Sequence, residues 1–182
     1  MPETFLVFAG KCIYLMLPAY FANMAPVIVK KINIFAYPVD FNAKIGNMPI
    51  LGKNKTVRGL IFGVVFAVIV AYIQFLLHKD EFFGSISFIG YENWFLFGLL
   101  MGAGALTGDL IKSFFKRRLN LRPGQRFVPF DQMDFVIGAF LFVMPVFRAT
   151  LEIFVMSIAL SFVLDIIVNH LAFYFGIRNE KW

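Results

Sequence analysis

Three aspartates stand where apolar stretches of the chain give way to cations. Asp109 follows Gly108 and opens the run Asp109-Leu-Ile-Lys112-Ser113-Phe-Phe-Lys116-Arg117-Arg118. Asp109, Lys112, Ser113, Lys116 and Arg117 recur at spacings of three and four, so a helix through them gathers most of them on one face. Beyond a turn at Pro123-Gly124, Asp131-Gln132-Met133-Asp134 sets two more carboxylates at i and i+3. Three carboxylates among many Lys and Arg suit a divalent metal together with phosphate groups. Mg²⁺ takes a few carboxylates and fills its other positions with water and substrate oxygens.

Each aspartate also has a plain structural explanation. Asp109 can pair with Lys112 or Lys116, and Asp131 and Asp134 can compensate the dipole at a helix N-terminus. Both effects are compatible with metal binding. Asp165 lies inside a long apolar run, where a carboxylate is costly and therefore draws a functional reading; it can equally be protonated or paired with a neighbour. Asn169 and His170, about one turn on, read as polar contacts between helices.

An earlier segment, Gly52-Lys53-Asn54-Lys55-Thr56-Val57-Arg58-Gly59, carries a second anion signal. Its glycines allow tight turns, Asn54 and Thr56 offer neutral donors, and Thr56 can cap a helix. A helix N-terminus flanked by Lys53, Lys55 and Arg58 is a ready anion site. The G-x-x-x-x-G-K-[ST] string of a P-loop is absent.

The elements that must position these groups follow from composition. Of 182 residues, 60% are hydrophobic and 18% aromatic, 25 of them Phe, while only 15% are charged, against about 25% in ordinary soluble domains. One Cys and two His exclude a disulfide scaffold or a Cys/His zinc module, and the apolar content excludes a disordered chain. Cys12 carries no redox inference. A polytopic all-α membrane protein remains, with 1–182 as a single transmembrane domain and no internal repeat.

A bilayer core needs roughly 20 apolar helical residues. Such runs are Phe5–Val29, broken by Pro18 and Pro26; Gly59–Leu77; Trp94–Ile111, rich in Gly and Ala; Phe135–Phe147, only 13 residues long but extendable back through Met133; and Leu151–Phe175. Five helices are expected. One basic loop holds Lys30, Lys31, Lys44, Lys53, Lys55 and Arg58. A second holds Lys112, Lys116, Arg117, Arg118, Arg122 and Arg126, and the tail adds Arg178 and Lys181. Fourteen of the 17 cations thus fall on one side, leaving Lys11, Lys79 and Arg148 opposite. The positive-inside rule then sets the N-terminus outside, and both basic loops and the C-terminus in the cytoplasm. The first run lacks a basic n-region and an A-x-A-like cleavage site, so it reads as a retained helix.

These strings resemble the signature of the CTP-dependent phosphatidate cytidylyltransferases, a GD-x-x-x-S-x-x-KR block followed by Pro-Gly and then D-R-x-D. The matching residues are Gly108-Asp109, Ser113, Lys116-Arg117, Pro123-Gly124, and Asp131 with Asp134; Lys55, Thr56, Arg58 and Gly59 resemble the family's K-T-x-[ER]-G segment. Gln132 stands in place of the Arg of D-R-x-D, and Gln125-Arg126 in place of the bacterial His-Gly stretch. With the small size and five spans, these departures most resemble the archaeal branch, the CDP-archaeol synthases.

The resemblance implies a multi-pass cell-membrane enzyme whose site faces the cytoplasm. It would transfer CMP from CTP to an unsaturated ether-lipid phosphate, 2,3-bis-O-geranylgeranylglycerol 1-phosphate, giving CDP-archaeol and pyrophosphate. On that reading Asp109, Asp131 and Asp134 hold Mg²⁺. Asn54, Lys55, Thr56 and Arg58 hold the triphosphate, and Ser113, Lys116 and Arg117 complete the phosphate cradle. Partners would be CTP, the isoprenoid lipid phosphate, membrane lipids and a second copy in a homodimer, with no nucleic acid. Two rivals stand beside it: a small transporter or channel subunit using Asp109 and Asp165, and a non-catalytic protein whose basic loops hold anionic lipids. The first expects ionisable residues along a path, not at one face; the second leaves the carboxylates without a task.

Overall fold

The computed structural model describes residues 4–122, 125 and 127–174. The Pro123-Gly124 turn, Arg126, Arg178 and Lys181 lie outside the described residues. Among the described residues six α-helices form: α1 (Phe5–Ile28), α2 (Val57–Leu77), α3 (Glu81–Ser85), α4 (Trp94–Arg118), α5 (Phe130–Val143) and α6 (Leu151–Tyr174). Between α1 and α2 lie a 3-10 turn, Val29–Lys31, and a minimal hairpin of β1 (Lys44–Ile45) and β2 (Met48–Pro49), with Lys44 opposite Pro49 and Ile45 opposite Met48.

Helix α1 continues through Pro18 and Pro26 where a break was expected. In a helix bundle of this kind neighbouring helices re-satisfy the freed backbone groups. A Cβ placed on Gly59 would lie 3.1 Å from the Pro26 ring, so the end of α1 is braced against the start of α2. Thr56 caps α2 as expected, its hydroxyl accepting from Gly59 N at 3.2 Å. Helix α3 was not expected; Asp80 starts it by accepting from Phe82 N at 3.0 Å.

Among the described residues four stretches are long and apolar enough to cross a membrane: 5–31, 57–77, 94–118 and 151–168. Helix α5 has 14 residues, about 21 Å at 1.5 Å per residue, short of a hydrocarbon core of about 30 Å. It begins earlier than the apolar run and ends at Val143, before Phe147: Met144 keeps helical angles, but Pro145 has no N–H to carry the ladder on.

Successive long helices run antiparallel. Gln74 of α2 reaches back to the Tyr14 carbonyl of α1 at 2.6 Å. Gly98 and Gly102 of α4 face Ala71 and Ala67 of α2, and Gly104 and Gly108 face Gly138 and Asp134 of α5. Phe140 of α5 stacks edge-on against Phe154 of α6, while Gln132 bonds Asp165 at 3.0 Å. Ala19, Ala22, Ala67, Ala71, Ala105 and Ala139 are fully buried, whereas Ile69, Leu76, Leu141, Val155 and Val163 face outward. Lipid is as apolar as the helix surfaces, so close van der Waals contact between small residues holds such a bundle together. Helix α1 touches α2, α4, α5 and α6, and α4 packs most extensively against α5 and α2.

Candidate functional site

The site forms where α4 and α5 approach most closely. A Cβ on Gly108 would strike the backbone oxygen of Asp134; the missing side chain therefore lets the two backbones meet and sets Asp109 beside the first turn of α5. All three aspartates converge on one ammonium. Lys112 Nζ lies 3.1 Å from Asp109 Oδ1, 3.3 Å from Asp131 Oδ1 and 2.8 Å from Asp134 Oδ2. Lys55, from the loop before α2, forms a second ion pair with Asp109. Lys116 holds both oxygens of Asp131 at 3.0 and 3.1 Å, and Asp131 Oδ2 also accepts from Phe127 N at 2.6 Å. Three carboxylates and three ammoniums balance.

The loop that delivers Lys55 is itself fastened. Asp40 accepts from Leu51 N at 2.8 Å, Gly52 N at 3.2 Å and Asn42 N at 3.1 Å. Burial pushes the Asp40 carboxyl up, but these N–H donors outweigh it and hold it below the usual carboxylate range. Val57 N donates to the Tyr37 carbonyl and Arg58 N to the Phe35 carbonyl, at 3.0 and 2.9 Å. Gly52 has φ +103°, a conformation that favours glycine, and lies against the Arg117 side chain. Arg118 of α4 reaches over the hairpin to the Pro49 carbonyl at 2.5 Å.

The structure therefore brings Lys55, Asp109, Lys116, Asp131 and Asp134 into one network. Ser113 and Arg117 are buried on the same helix. Arg58 is buried and donates to the Ile32 carbonyl, and Arg117 donates to the Leu121 carbonyl at 2.5 Å. Neither Nε has a hydrogen-bond partner among the described residues. A buried donor left without a partner costs about 1–3 kcal/mol, so both guanidiniums are short of an acceptor. Thr56 is occupied by its cap, and Asn54 and Lys53 are exposed at the loop's tip. The cations grouped as a second loop belong mostly to α4, which carries Lys112, Lys116, Arg117 and Arg118.

Lys112 was placed on the face with Asp109, Ser113, Lys116 and Arg117, as a candidate salt-bridge partner of Asp109; its central position among all three aspartates was missed. Its spacing of three from Asp109 was the available signal, but only the α4–α5 contact reveals that one ammonium serves three carboxylates. Asp40 was missed because two of its three backbone partners, Leu51 N and Gly52 N, lie about a dozen residues away.

Among the described residues no group of three or more Asp, Glu, His or Cys is arranged to ligate a metal directly, since Lys112 stands between the carboxylates. The donor set nonetheless fits a hard divalent cation: it is all carboxylate oxygen, it already encloses a cation, and the buried Oδ1 of Asp134 has no hydrogen-bond partner. Beside it, a cavity of about 510 Å³ opens between α4 and α5. Lys112 and Asp134 form its charged edge, and Phe115, Phe130, Ile137 and Leu141 its apolar wall.

A helical bundle with membrane-length spans, a charge-balanced cluster at one end and an apolar cavity beside it places charged groups next to greasy ones. The sequence profile of CarS-like CDP-archaeol synthases matches residues 5–182, and the chain belongs to that family. Curated CDP-archaeol synthases resemble it closely. The Methanocaldococcus jannaschii protein is 32% identical over 97% of this chain and 98% of its own length. The Pyrococcus horikoshii protein is 42% identical over 72% of each chain. A solved intramembrane enzyme for archaeal membrane lipid biosynthesis superposes with a TM-score of 0.72 at 28% identity, covering 86% of this chain and 91% of the other.

Proposed function

We propose that this protein transfers CMP from CTP to the phosphate of a digeranylgeranylglyceryl ether lipid, giving CDP-archaeol and pyrophosphate. The observation that carries this reading is the charged cluster at the edge of an apolar cavity, in a chain of the CDP-archaeol synthase family. An oxygen of the lipid phosphate attacks the α-phosphorus of CTP. The bond from that phosphorus to the bridging oxygen breaks, and pyrophosphate leaves with the electron pair. The attacking oxygen is already anionic, so no general base is required. The protein must instead align two polyanions and offset the charge on the leaving group.

Lys55, Lys116 and Arg117 supply positive charge from two sides of the cluster. The free Nε groups of Arg58 and Arg117 give the triphosphate donors that are already desolvated. Thr56 shapes the N-terminus of α2 beneath it, Asn54 adds an amide at the loop tip, and Ser113 a hydroxyl on α4. Asp109, Asp131 and Asp134 would hold Mg²⁺, which supplies charge neutralisation on the triphosphate and the departing pyrophosphate. Isoprenoid chains would lie along Phe115, Phe130, Ile137 and Leu141. The antiparallel succession of long helices supports five crossings, and the gathering of cations at the site end supports a cytoplasmic site with the N-terminus outside.

The test is incorporation of radiolabelled CTP into lipid by purified protein with Mg²⁺. Label should enter lipid when the ether phosphate is supplied. No label with either ether or ester phosphatidates overturns the reading.

A further inference from the structure

Lys112 occupies two places at once. Its ammonium contacts all three aspartates within 3.3 Å, and the same residue lines the apolar cavity between α4 and α5. A divalent cation held by those aspartates cannot share their centre with an ammonium, because like charges at such separations repel strongly in a site sheltered from water. The lysine must leave when the metal arrives. Lys55 and Lys116 already engage Asp109 and Asp131 from the flanks, and the cavity that Lys112 lines gives it somewhere to turn. Moving an ammonium toward an apolar wall is costly unless an anion meets it there.

We propose that Lys112 is an exchangeable internal cation: it neutralises the three aspartates until a divalent metal displaces it, and it then binds the phosphate of an amphiphile seated in the α4–α5 cavity. The inference rests on the metal and lipid-phosphate assignments above and adds a coupling between them. Metal and lipid phosphate each favour the same displaced Lys112, so each strengthens the binding of the other, as linkage requires. The arrangement also gives the metal-free protein a neutral cluster, with no repelling carboxylates left inside an apolar bundle.

The experiment measures Mn²⁺ binding by electron paramagnetic resonance on the full chain in detergent, without nucleotide and corrected for micelles alone. Removing the competing ammonium should tighten Mn²⁺ binding about tenfold in both Lys112→Met and Lys112→Gln, because occupancy by the lysine lowers apparent affinity by the fraction of competent sites. Lys112→Arg, which keeps the charge, should bind as weakly as the unaltered protein. A gain in affinity cannot come from a variant that fails to fold. Equal or weaker Mn²⁺ binding in both neutral variants overturns the exchange.

Adding geranylgeranyl monophosphate should tighten Mn²⁺ binding to the unaltered protein by roughly fivefold or more, and leave Lys112→Met unchanged. Persistence of that coupling in Lys112→Met overturns the phosphate role of Lys112. An equal effect from inorganic phosphate overturns the role of the cavity. Absent CMP incorporation would instead count against the proposed reaction, and leaves the Mn²⁺ results to stand or fall by themselves.

Discussion

Two polar clusters are buried in this apolar bundle, one near each end, and they are built differently. At one end six charged side chains, Lys55, Asp109, Lys112, Lys116, Asp131 and Asp134, interlock through ion pairs. At the other, Tyr14, Gln74, His78 and Tyr91 meet without ion pairs among the described residues: Gln74 bonds the Tyr14 carbonyl, and the Tyr91 ring lies edge-on to Tyr14 and His78, with centroids 6.3 and 5.8 Å away. Burial, aided by Tyr14, pushes the Tyr91 phenol up, so it stays uncharged. Here one hydrogen bond to a backbone carbonyl and ring contacts join the helices, although Tyr14 Oη, Gln74 Oε1, His78 Nδ1 and Tyr91 Oη have no hydrogen-bond partner among the described residues. Burying ions costs several kcal/mol each before their attraction offsets it, and packed apolar residues often stabilise as well or better. A cluster whose charges stability does not require suits the catalytic role proposed for it.

The comparison can be broken by making the charged end behave like the neutral one. Asp134→Asn should lower turnover on the order of 100- to 1000-fold while the protein still inserts in the membrane; undiminished CMP incorporation in that variant would remove Asp134 from the site. Gly108→Ala forces α4 and α5 apart at the Asp134 carbonyl, and should cost on the order of 100-fold in kcat by displacing aligned groups. A wild-type rate there would show that the close approach does not position the aspartates. Lys116→Ala should raise the KM for CTP roughly tenfold, the equivalent of about 1.4 kcal/mol, and unchanged CTP dependence would misplace the phosphate site.

At the neutral end Gln74→Leu removes one hydrogen bond and should lower stability by only about 1 kcal/mol, read as a small drop in melting temperature with catalysis intact. A large loss of activity would erase the distinction between the two ends. The smallest effect concerns Asp40. Its folded-state value lies below that of the unfolded chain, so its stabilisation is complete above the ordinary carboxylate value of about 3.9 and fades as pH falls through the lower folded value. Proteolytic cleavage in the Asp40–Gly52 loop should therefore rise below about pH 4, and Asp40→Asn should remove that dependence.

Much of this was legible in the sequence because the signals are local. Apolar length disclosed α1, α2, α4 and α6, Thr56 announced the start of α2, and the spacing from Asp109 to Arg117 foretold the continuing helix. The boundaries of α5 were not, since its first turn is polar and its apolar run overshoots Pro145. In the site, the residue types that handle phosphate and metal were visible, but their partners were not. That Arg58 turns to the Ile32 carbonyl, or that Lys112 serves three carboxylates, depends on how helices distant in the chain meet. Gln132, read only as a departure from an Arg, proves to tie α5 to Asp165 of α6.

The shortness of α5 has a consequence for where the reaction can take place. On the five-crossing reading, a helix of about 21 Å falls short of the hydrocarbon core, a mismatch that local thinning of the bilayer beside it would relieve. The headgroup plane then dips beside the very helix that carries Asp131 and Asp134. A lipid phosphate can reach the cluster at its natural depth, without being lifted from its leaflet, while a water-borne nucleotide approaches from the other side. Such a dimple would bring together two reactants that otherwise share no solvent.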